Sequence, residues 1–180
     1  MPKSPDLHKL TATQAVKLLK AAKVSPRELL DAAEARIAAV DGAVNALPTL
    51  CFDRARERAK KAKKTSLLAG LPIAIKDLTD VAGVRTTYGS PIYADNVPKR
   101  SNALVERLEA AGALVVAKSN TPEFGAGANT FNPVFGPTRN PWDTRLSAAG
   151  SSGGSAVALA TGQVWLAEGS DLGGSLRTPA

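Results

Sequence analysis

The alternation of apolar and polar residues over the first 64 positions predicts helices. "TATQ" (11–14) and "SPRE" (25–28) are capping boxes, in which a Ser or Thr and a Gln or Glu three residues later satisfy the free N–H groups of a helix start. Pro26 is well suited to the first helical position. Apolar residues then recur at helical spacing up to Asp41-Gly42, where we expect that helix to end. With a third helix over 52–64, the sequence predicts a helical leader over residues 1–64.

From residue 67 onward the pattern changes to short apolar runs separated by helical segments. The runs "LPIAIKD", "ALVVAKS" and "QVWLAEG" predict buried strands, and "SNALVERLEAAG" and "SSGGSAVALATG" predict helices. Strand, helix and strand of these lengths make a βαβ unit with a right-handed crossover. The sequence therefore predicts an α/β domain over 1–180, in which 67–180 forms a mixed or parallel sheet core covered by helices.

Two segments without periodicity, 83–100 and 122–150, are rich in Gly, Pro, Asn and Thr. Unstructured connections this long in a compact domain are usually functional or disordered. The second segment carries three phenylalanines and a tryptophan, which argue for order. We therefore expect it to form one wall of a site.

Composition narrows the class of protein. The chain has 180 residues, a net charge of +7 and a hydrophobic fraction of 44%, which is typical of a globular domain. Much of the positive charge lies in "RARERAKKAKK" (54–64), where interleaved alanines and the lack of aromatic residues favour a solvated helix face over a nucleic-acid or membrane surface. The N-terminus lacks the apolar core of a signal peptide, so we expect a cytoplasmic protein.

The candidate chemistry lies in two glycine–serine clusters, "GSSGGS" (150–155) and "GSDLGGS" (169–175). Ser152 fits the G-x-S-x-G pattern of a nucleophile elbow, but no strand is predicted directly before it and no histidine follows. His8 is the only histidine, so a Ser-His-Asp triad has no credible base. The single cysteine, Cys51, excludes a disulfide within the chain and a zinc–cysteine cluster, and we interpret it as a small apolar filler.

Lysine is the remaining candidate base for a serine nucleophile. Lys76 and Lys118 each end a predicted buried strand, where loss of hydration favours the neutral amine. A neutral lysine can accept a proton from a serine hydroxyl. Spacing alone does not choose between them, and for each it favours a strand-end lysine whose ammonium group reaches water.

Four motifs in order, "AGLPIAIKD", "FGPTRNPWD", "GSSGGSAVALATG" and "GSDLGGSLRTPA", resemble the amidase signature family. The resemblance runs from about residue 67 to the last residue and implies a Ser–cisSer–Lys triad. Matched motif by motif, it implies Ser175 as the nucleophile, Ser151 as the bridging serine and Lys76 as the base.

The resemblance further implies an oxyanion hole made by the backbone N–H groups of Leu172, Gly173, Gly174 and Ser175. We expect Asp171 and Arg177 to form a pair that holds this turn, and Ser152 to be a structural hydrogen-bonding residue. Ala149 and Ser170 stand where many family members have glycine and threonine.

The resulting hypothesis is an amidase that converts a small-molecule carboxamide to an acid and ammonia or an amine through a serine acyl-enzyme, without metal or cofactor. Members of the family are more than twice as long, so we expect an N-terminal portion that is not competent alone and that forms a homodimer at full length. The alternatives are the A subunit of a glutamyl-tRNA amidotransferase, which a co-encoded B subunit would favour, and an inactive truncated fragment.

Overall fold

The computed structural model describes residues 4–180, which form a helical leader followed by a mixed sheet with helices on both sides. The helices are α1 (Ala12–Lys20), α2 (Pro26–Val44), α3 (Phe52–Ala59), α4 (Ala103–Ala110) and α5 (Gly153–Ala160). The strands are β1 (Thr49–Leu50), β2 (Pro72–Lys76), β3 (Leu114–Ser119), β4 (Phe131–Asn132), β5 (Gly136–Pro137) and β6 (Leu166–Ala167). Short 3-10 segments lie at Ser4–Lys9, Pro91–Tyr93 and Glu123–Gly125. No helix in this range is both long and apolar enough to cross a membrane.

Both predicted capping boxes are present at the starts of α1 and α2. At α2, the Glu28 N–H donates to Ser25 Oγ and the Ser25 N–H donates to Glu28 Oε2, which satisfies two donors that the helix leaves free. The prediction that this helix ends at Asp41-Gly42 was wrong. It continues to Val44, and Asn45 ends it in the left-handed conformation at φ 53°. Asp41 then accepts the N–H groups of the two residues that follow Asn45.

The leader departs from the prediction at two further places. The third helix, α3, ends at Ala59 instead of residue 64. Between α2 and α3 the chain forms β1, a strand of two residues that pairs antiparallel with β3. The sheet is therefore mixed, because a piece of the leader is added to its edge.

The main sheet has the strand order β1-β3-β2-β6, in which β2 is parallel to both β3 and β6. This parallel arrangement confirms the predicted βαβ unit, with α4 in the connection between β2 and β3. The third predicted strand is shorter than its apolar run, because only Leu166 and Ala167 pair with β2. In register, Lys76 of β2 lies beside Ser119 of β3.

The sheet is buried on both faces, as the continuous apolar runs of β2 and β3 require. On one face Ala74 and Val116 pack with the leader helices and α5. On the other face Ile73, Ile75 and Val115 pack with Val105 of α4. The α/β class with helical cover on both faces, predicted from the sequence, is confirmed.

In the basic segment 54–64, four of the seven cationic side chains form ion pairs with carboxylates. Arg54 and Arg58 both pair with Glu109, at 2.6 and 3.1 Å. Arg56 pairs with carboxylates of α2, and Lys60, directly after α3, pairs with Glu57 of that helix. The Arg54–Glu109 pair is mostly buried and the helix ends at Ala59, so only part of the segment is the solvated helix face that the sequence suggested.

The start of α5 is packed so closely that it requires glycine, which gives a first prediction. A Cβ atom at Gly154 would lie 2.3 Å from the Asn120 nitrogen and 2.8 Å from the Ala46 oxygen, both backbone atoms. Gly154→Ala is therefore expected to lower the free energy of unfolding by roughly 3 kcal/mol, because backbone on both sides must move.

Gly42→Ala is the matched control, because Gly42 lies within α2 and a Cβ there would meet no atom within 4 Å. Alanine in an open helical position should raise the free energy of unfolding by about 0.5–1 kcal/mol. Urea unfolding of the two variants beside the parent protein measures both effects. Similar stability changes in the two variants would contradict the packing argument.

Candidate active site

The candidate site lies where β2, β3 and β6 end and α5 begins. Lys76 is the last residue of β2, Lys118 lies next to the end of β3, and Glu168 directly follows β6. In open sheets with parallel strands, ligands bind at this carboxyl edge. The two glycine–serine clusters approach the same edge, one before α5 and one after β6.

Lys76 is fully buried, and its amine is surrounded by serine hydroxyls. Nζ donates to Ser151 Oγ at 2.7 Å, to Ser152 Oγ at 2.9 Å and to Ser170 Oγ at 3.0 Å. A hydroxyl group can donate as well as accept, so this shell also accommodates the neutral amine, which has two N–H bonds and one lone pair. The arrangement is thus compatible with a lysine that gains and loses a proton.

Burial shifts the protonation equilibrium of Lys76 toward the neutral amine. Within residues 4–180, no carboxylate forms an ion pair with its amine. Burial lowers the pKa of Lys76 to about 8, and the more distant charges of Glu168 and Asp171 act in the opposite direction. A lysine with such a pKa is partly neutral near physiological pH and can act as a base.

Lys118 is also fully buried, but its amine contacts a carboxylate. Its Nζ lies 3.2 Å from Asp77 Oδ1 and donates to the carbonyl oxygen of Thr79 and to Thr86 Oγ1, both at 2.8 Å. Burial lowers the pKa of Lys118, and the adjacent Asp77 opposes this effect. The direct carboxylate contact distinguishes Lys118 from Lys76. The positions of the two lysines in the sequence did not make this distinction.

Ser151 and Ser152 begin the segment that leads into α5, and both are buried. The peptide bond between Gly150 and Ser151 is cis. Ser152 has more contacts than the sequence suggested: its Oγ accepts from Lys76, donates to the Ser170 carbonyl at 3.2 Å and accepts the Ser170 N–H at 3.3 Å. Ser152 therefore joins the lysine to the second serine cluster.

Ser175 is half-buried at the end of the second cluster. Its carbonyl oxygen accepts the N–H of Ser152 at 3.1 Å, so the two clusters are held together through the backbone. Among the described residues, Ser175 Oγ has no hydrogen-bond partner. Lys76 and Ser151 are thus in contact, whereas the hydroxyl of Ser175 is not bonded to that of Ser151.

Asp171 organises the turn that carries Ser175. Its carboxylate accepts the N–H groups of Gly174 at 2.7 Å and Leu176 at 3.0 Å, and it pairs with Arg177 at 3.0 Å. Hydrogen bonds from Arg177 and from the backbone hold the pKa of Asp171 well below its usual range. The ion pair that the sequence suggested is present, and Asp171 also holds the backbone of the turn.

The N–H groups of the turn differ in their availability as oxyanion donors. The Gly174 N–H is occupied by Asp171, in contrast to the expectation that it is free. Within the described part of the chain, the N–H groups of Leu172, Gly173 and Ser175 have no protein acceptor. Gly174 lies at φ +113°, a conformation that favours glycine, so its small size is needed for the bend of the turn.

Two residues beside Lys76 were not assigned a role from the sequence. Ser170 was noted only as a departure from threonine, and it accepts a hydrogen bond from the lysine. Glu168 was not singled out, and its carboxylate accepts the backbone N–H of Lys76 at 2.9 Å. A signal for Glu168 was available, because it ends the apolar run "QVWLA" as Lys76 ends "LPIAI".

The predicted aromatic wall is formed by only part of the 122–150 segment. Phe124 packs edge to face on Tyr93, which packs in the same way on Tyr88. The neighbouring Gly125 lies close to the serines, since a Cβ there would be 3.8 Å from Ser151 Oγ. On another side of Ser152, Trp142 and Leu176 line an open groove of about 540 Å³.

The nucleophile elbow and the reactive cysteine, both rejected from the sequence, lack the geometry or environment that they need. No strand leads directly into Ser152, because the preceding residues form only an isolated bridge between Arg139 and Ser147. Burial raises the pKa of the Cys51 thiol to about 11, and the thiol donates to the Val115 carbonyl oxygen. Residues 4–180 contain no group of three or more His, Cys, Asp or Glu side chains placed to hold a metal ion.

An α/β fold with a buried lysine amine among serine hydroxyls is typical of serine–lysine hydrolases. The sequence matches the model of the Amidase family over residues 28–180, and the chain belongs to this family. The resemblance noted in its motifs is thereby confirmed.

The relatives compared include the A subunit of a glutamyl-tRNA(Gln) amidotransferase from Anaeromyxobacter dehalogenans, 46% identical over 87% of this chain and 33% of that protein. The AtzE subunit of 1-carboxybiuret hydrolase from Pseudomonas sp. is also 46% identical, over 88% of this chain and 36% of the relative. Among solved structures, 6-aminohexanoate cyclic dimer hydrolase superposes with a TM-score of 0.92 at 32% identity, covering 96% of this chain and 36% of the other. The chain thus spans about a third of the length of these proteins.

Proposed function

We propose that the chain carries the catalytic residues of an amidase that hydrolyses a small-molecule carboxamide. Neutral Lys76 takes a proton from Ser151, which takes the proton of Ser175 as Ser175 Oγ bonds to the amide carbonyl carbon. The observation that carries the proposal is the Lys76 amine, which is buried and hydrogen-bonded to hydroxyls without an ion pair in residues 4–180. In this assignment, residues 1–64 are a leader and residues 67–180 are the part of the core that holds the site.

The proposed reaction then proceeds through an acyl-enzyme. The carbonyl oxygen becomes an oxyanion, which can accept hydrogen bonds from the N–H groups of Leu172, Gly173 and Ser175, none of which has a protein acceptor in the described residues. The proton held by Lys76 returns through Ser151 to the leaving nitrogen as the C–N bond breaks, releasing ammonia or an amine. Water then gives a proton through Ser151 to Lys76, and its oxygen adds to the acyl carbon. Breakdown of this adduct releases the acid and restores Ser175.

The proton path requires a hydrogen bond between Ser151 and Ser175. The Ser175 hydroxyl has no other partner in the described chain, so no existing bond opposes its rotation toward Ser151. We propose that bound substrate favours this rotation, and that Asp171 keeps the backbone of the turn fixed meanwhile. We further propose that the enzyme works in the cytoplasm as a homodimer, without metal or cofactor.

The pH dependence of hydrolysis tests this proposal. Because the base must be neutral, activity is expected to rise as the pH increases through about 8, the pKa of Lys76, and to fall about tenfold for each unit below that value. Release of ammonia from simple aliphatic and aromatic amides measures the profile, with the protein expressed from its complete gene. A rate that is independent of pH between about 6 and about 9 would contradict a lysine base.

A second candidate function is the A subunit of a glutamyl-tRNA(Gln) amidotransferase, because one such protein is 46% identical to the chain. The identity to the AtzE protein is equal, so sequence similarity does not separate the two functions. Purification of the tagged protein from its own cells separates them. Co-purification of a B subunit, with glutamine hydrolysis that depends on it, would favour the amidotransferase over an amidase that acts on its own.

A further inference from the structure

We propose that Glu168 is a positioning residue of this site, holding the end of β2 with its carboxylate and setting with its charge the pH at which Lys76 becomes a base. The inference rests on the proposed function, in which Lys76 is that base. The sequence motifs that indicate Lys76 and the serines gave Glu168 no role. Its role is inferred from the hydrogen bonds that its carboxylate accepts.

The backbone of Glu168 is fixed from two sides. Its N–H donates to the Ala74 carbonyl oxygen at 2.9 Å, which extends the pairing of β6 with β2. Its carbonyl oxygen accepts Ser155 Oγ of α5 at 2.7 Å. The side chain therefore starts from a rigid position between the central strand and the helix that follows the first serine cluster.

The carboxylate of Glu168 binds the residues around the end of β2. Oε2 accepts the backbone N–H of Lys76 at 2.9 Å, and Oε1 accepts Thr79 Oγ1 at 3.3 Å. The carbonyl oxygen of Thr79 in turn accepts the Lys118 amine. Glu168 thus fixes the main chain from which the Lys76 side chain extends, without contacting its amine.

The charge of Glu168 acts on Lys76 from a distance. Charged groups face this region from three elements: Glu168 after β6, Asp171 on the serine turn, and the Lys118–Asp77 pair beside β2. Glu168 and Asp171 favour the protonated form of Lys76, whereas burial disfavours it. Burial raises the pKa of Glu168, whereas hydrogen bonds from the Lys76 N–H and Thr79, and then the charges of Lys76 and Lys118, act in the opposite direction.

The Glu168 carboxylate does not contact the Lys76 amine, and this affects the proton affinity of the amine. A carboxylate in contact with Nζ favours the ammonium form, as the adjacent Asp77 does for Lys118 against the effect of burial. A carboxylate bonded to the backbone N–H of the same residue stabilises the ammonium form less. The amine then keeps an intermediate proton affinity, as a reversible base requires.

Glu168→Gln separates the charge from the hydrogen bonds. The amide oxygen of glutamine can accept the Lys76 N–H, and its NH₂ group can donate to the Thr79 hydroxyl, which accepts as well as donates. Glu168→Leu removes both the charge and the hydrogen bonds. Glu106→Gln, on the exposed face of α4, makes the same change in net charge away from the site and is the matched control.

Two measurements test the inference in the protein expressed from its complete gene. The first follows the ¹³Cε shift of Lys76 with pH in lysine-labelled protein, assigned by its loss in Lys76→Arg. The second is the pH profile of amide hydrolysis. In Glu168→Gln we expect the Lys76 titration and the acidic limb of activity both to move down by about 0.5–1 pH unit, which raises the rate below the limb about threefold to tenfold.

Glu168→Leu and Glu106→Gln test the hydrogen bonds of Glu168 and the effect of net charge. Glu168→Leu should show the same downward titration together with an at least about tenfold lower plateau rate, because the Lys76 backbone loses its anchor. Glu106→Gln should change neither titration nor rate. An unchanged Lys76 titration in both Glu168 variants, with activity present, would overturn the inference and leave the proposed function standing.

The opposite failure is distinguishable from this one. If the Lys76 titration moves in Glu168→Gln but hydrolysis is absent, or its pH limb stays in place, the electrostatic inference holds and the assignment of Lys76 as the base fails. An equal shift in Glu106→Gln would show an effect of net charge alone, and would also overturn the role of Glu168.

Discussion

Replacing Lys76 with methionine is expected to reduce the rate of amide hydrolysis by at least about 10³-fold, because the variant has no group to take the proton of the serine. Methionine fits a buried position, but it leaves the buried hydroxyls of Ser151 and Ser152 without the amine. We therefore expect the protein to stay folded with a loss of about 1–3 kcal/mol of stability. Initial rates at several pH values, beside thermal unfolding of the same samples, measure the two effects.

Lys118→Met is the matched control for this experiment. Lys118 is equally buried but is paired with Asp77, so its removal leaves a buried carboxylate without its partner. Such a change costs about 3–5 kcal/mol of stability. The folded fraction of Lys118→Met should nevertheless keep most of its activity. Equal losses of activity per folded molecule in both variants would leave the base unassigned.

Ser175→Ala should abolish covalent labelling by a fluorophosphonate probe and lower kcat by at least about 10⁴-fold. The reason is that an alkylphosphonyl group forms its bond with the activated nucleophile, and alanine has no oxygen to supply it. Labelling is read by mass spectrometry of the intact protein, which also counts the modified sites. The backbone contact between Ser175 and Ser152 involves the carbonyl oxygen of residue 175, so alanine preserves it.

Ser152→Ala and Ser155→Ala are the comparisons for the labelling experiment. Ser152 contacts Lys76, whereas Ser155 bonds to Ser119 and to the Glu168 carbonyl oxygen. Both variants should keep a site of labelling at residue 175, with a lower rate in Ser152→Ala because the lysine loses a neighbour. Labelling that survives in Ser175→Ala and disappears in Ser152→Ala would show that the nucleophile elbow was the correct interpretation.

Local patterns in the sequence predicted the features that depend on neighbouring residues. The capping boxes at Thr11 and Ser25 and the strands that end at Lys76 and Ser119 are present. The helix stop at Asp41-Gly42 was wrong because the Asp41 carboxylate accepts N–H groups beyond the helix, while glycine is tolerated inside it.

Features that depend on strand register could not be predicted in this way. The strand β1 has two residues and exists only through its pairing with β3. The contact of Glu168 with Lys76 follows from the pairing of Ala74 with Ala167, which are 93 positions apart in the sequence. Ala167 directly precedes Glu168, so this pairing brings Glu168 to the end of β2. The choice between Lys76 and Lys118 likewise depends on which hydroxyls and carboxylates the folded chain brings to each amine.

Three hydrogen bonds, among others, join the helical leader to the core: two reach the segment between the serine clusters, and one reaches Asn120, directly after β3. The Leu7 carbonyl oxygen accepts the Trp165 indole N–H, and Arg36 Nε donates to the Thr161 carbonyl oxygen. The Ala46 carbonyl oxygen accepts the Asn120 N–H, at the place where Gly154 leaves no room for a side chain. The leader is therefore not a module that evolution or an engineer can exchange freely among relatives. A transplanted core would need its own leader, or compensating changes at all three contacts.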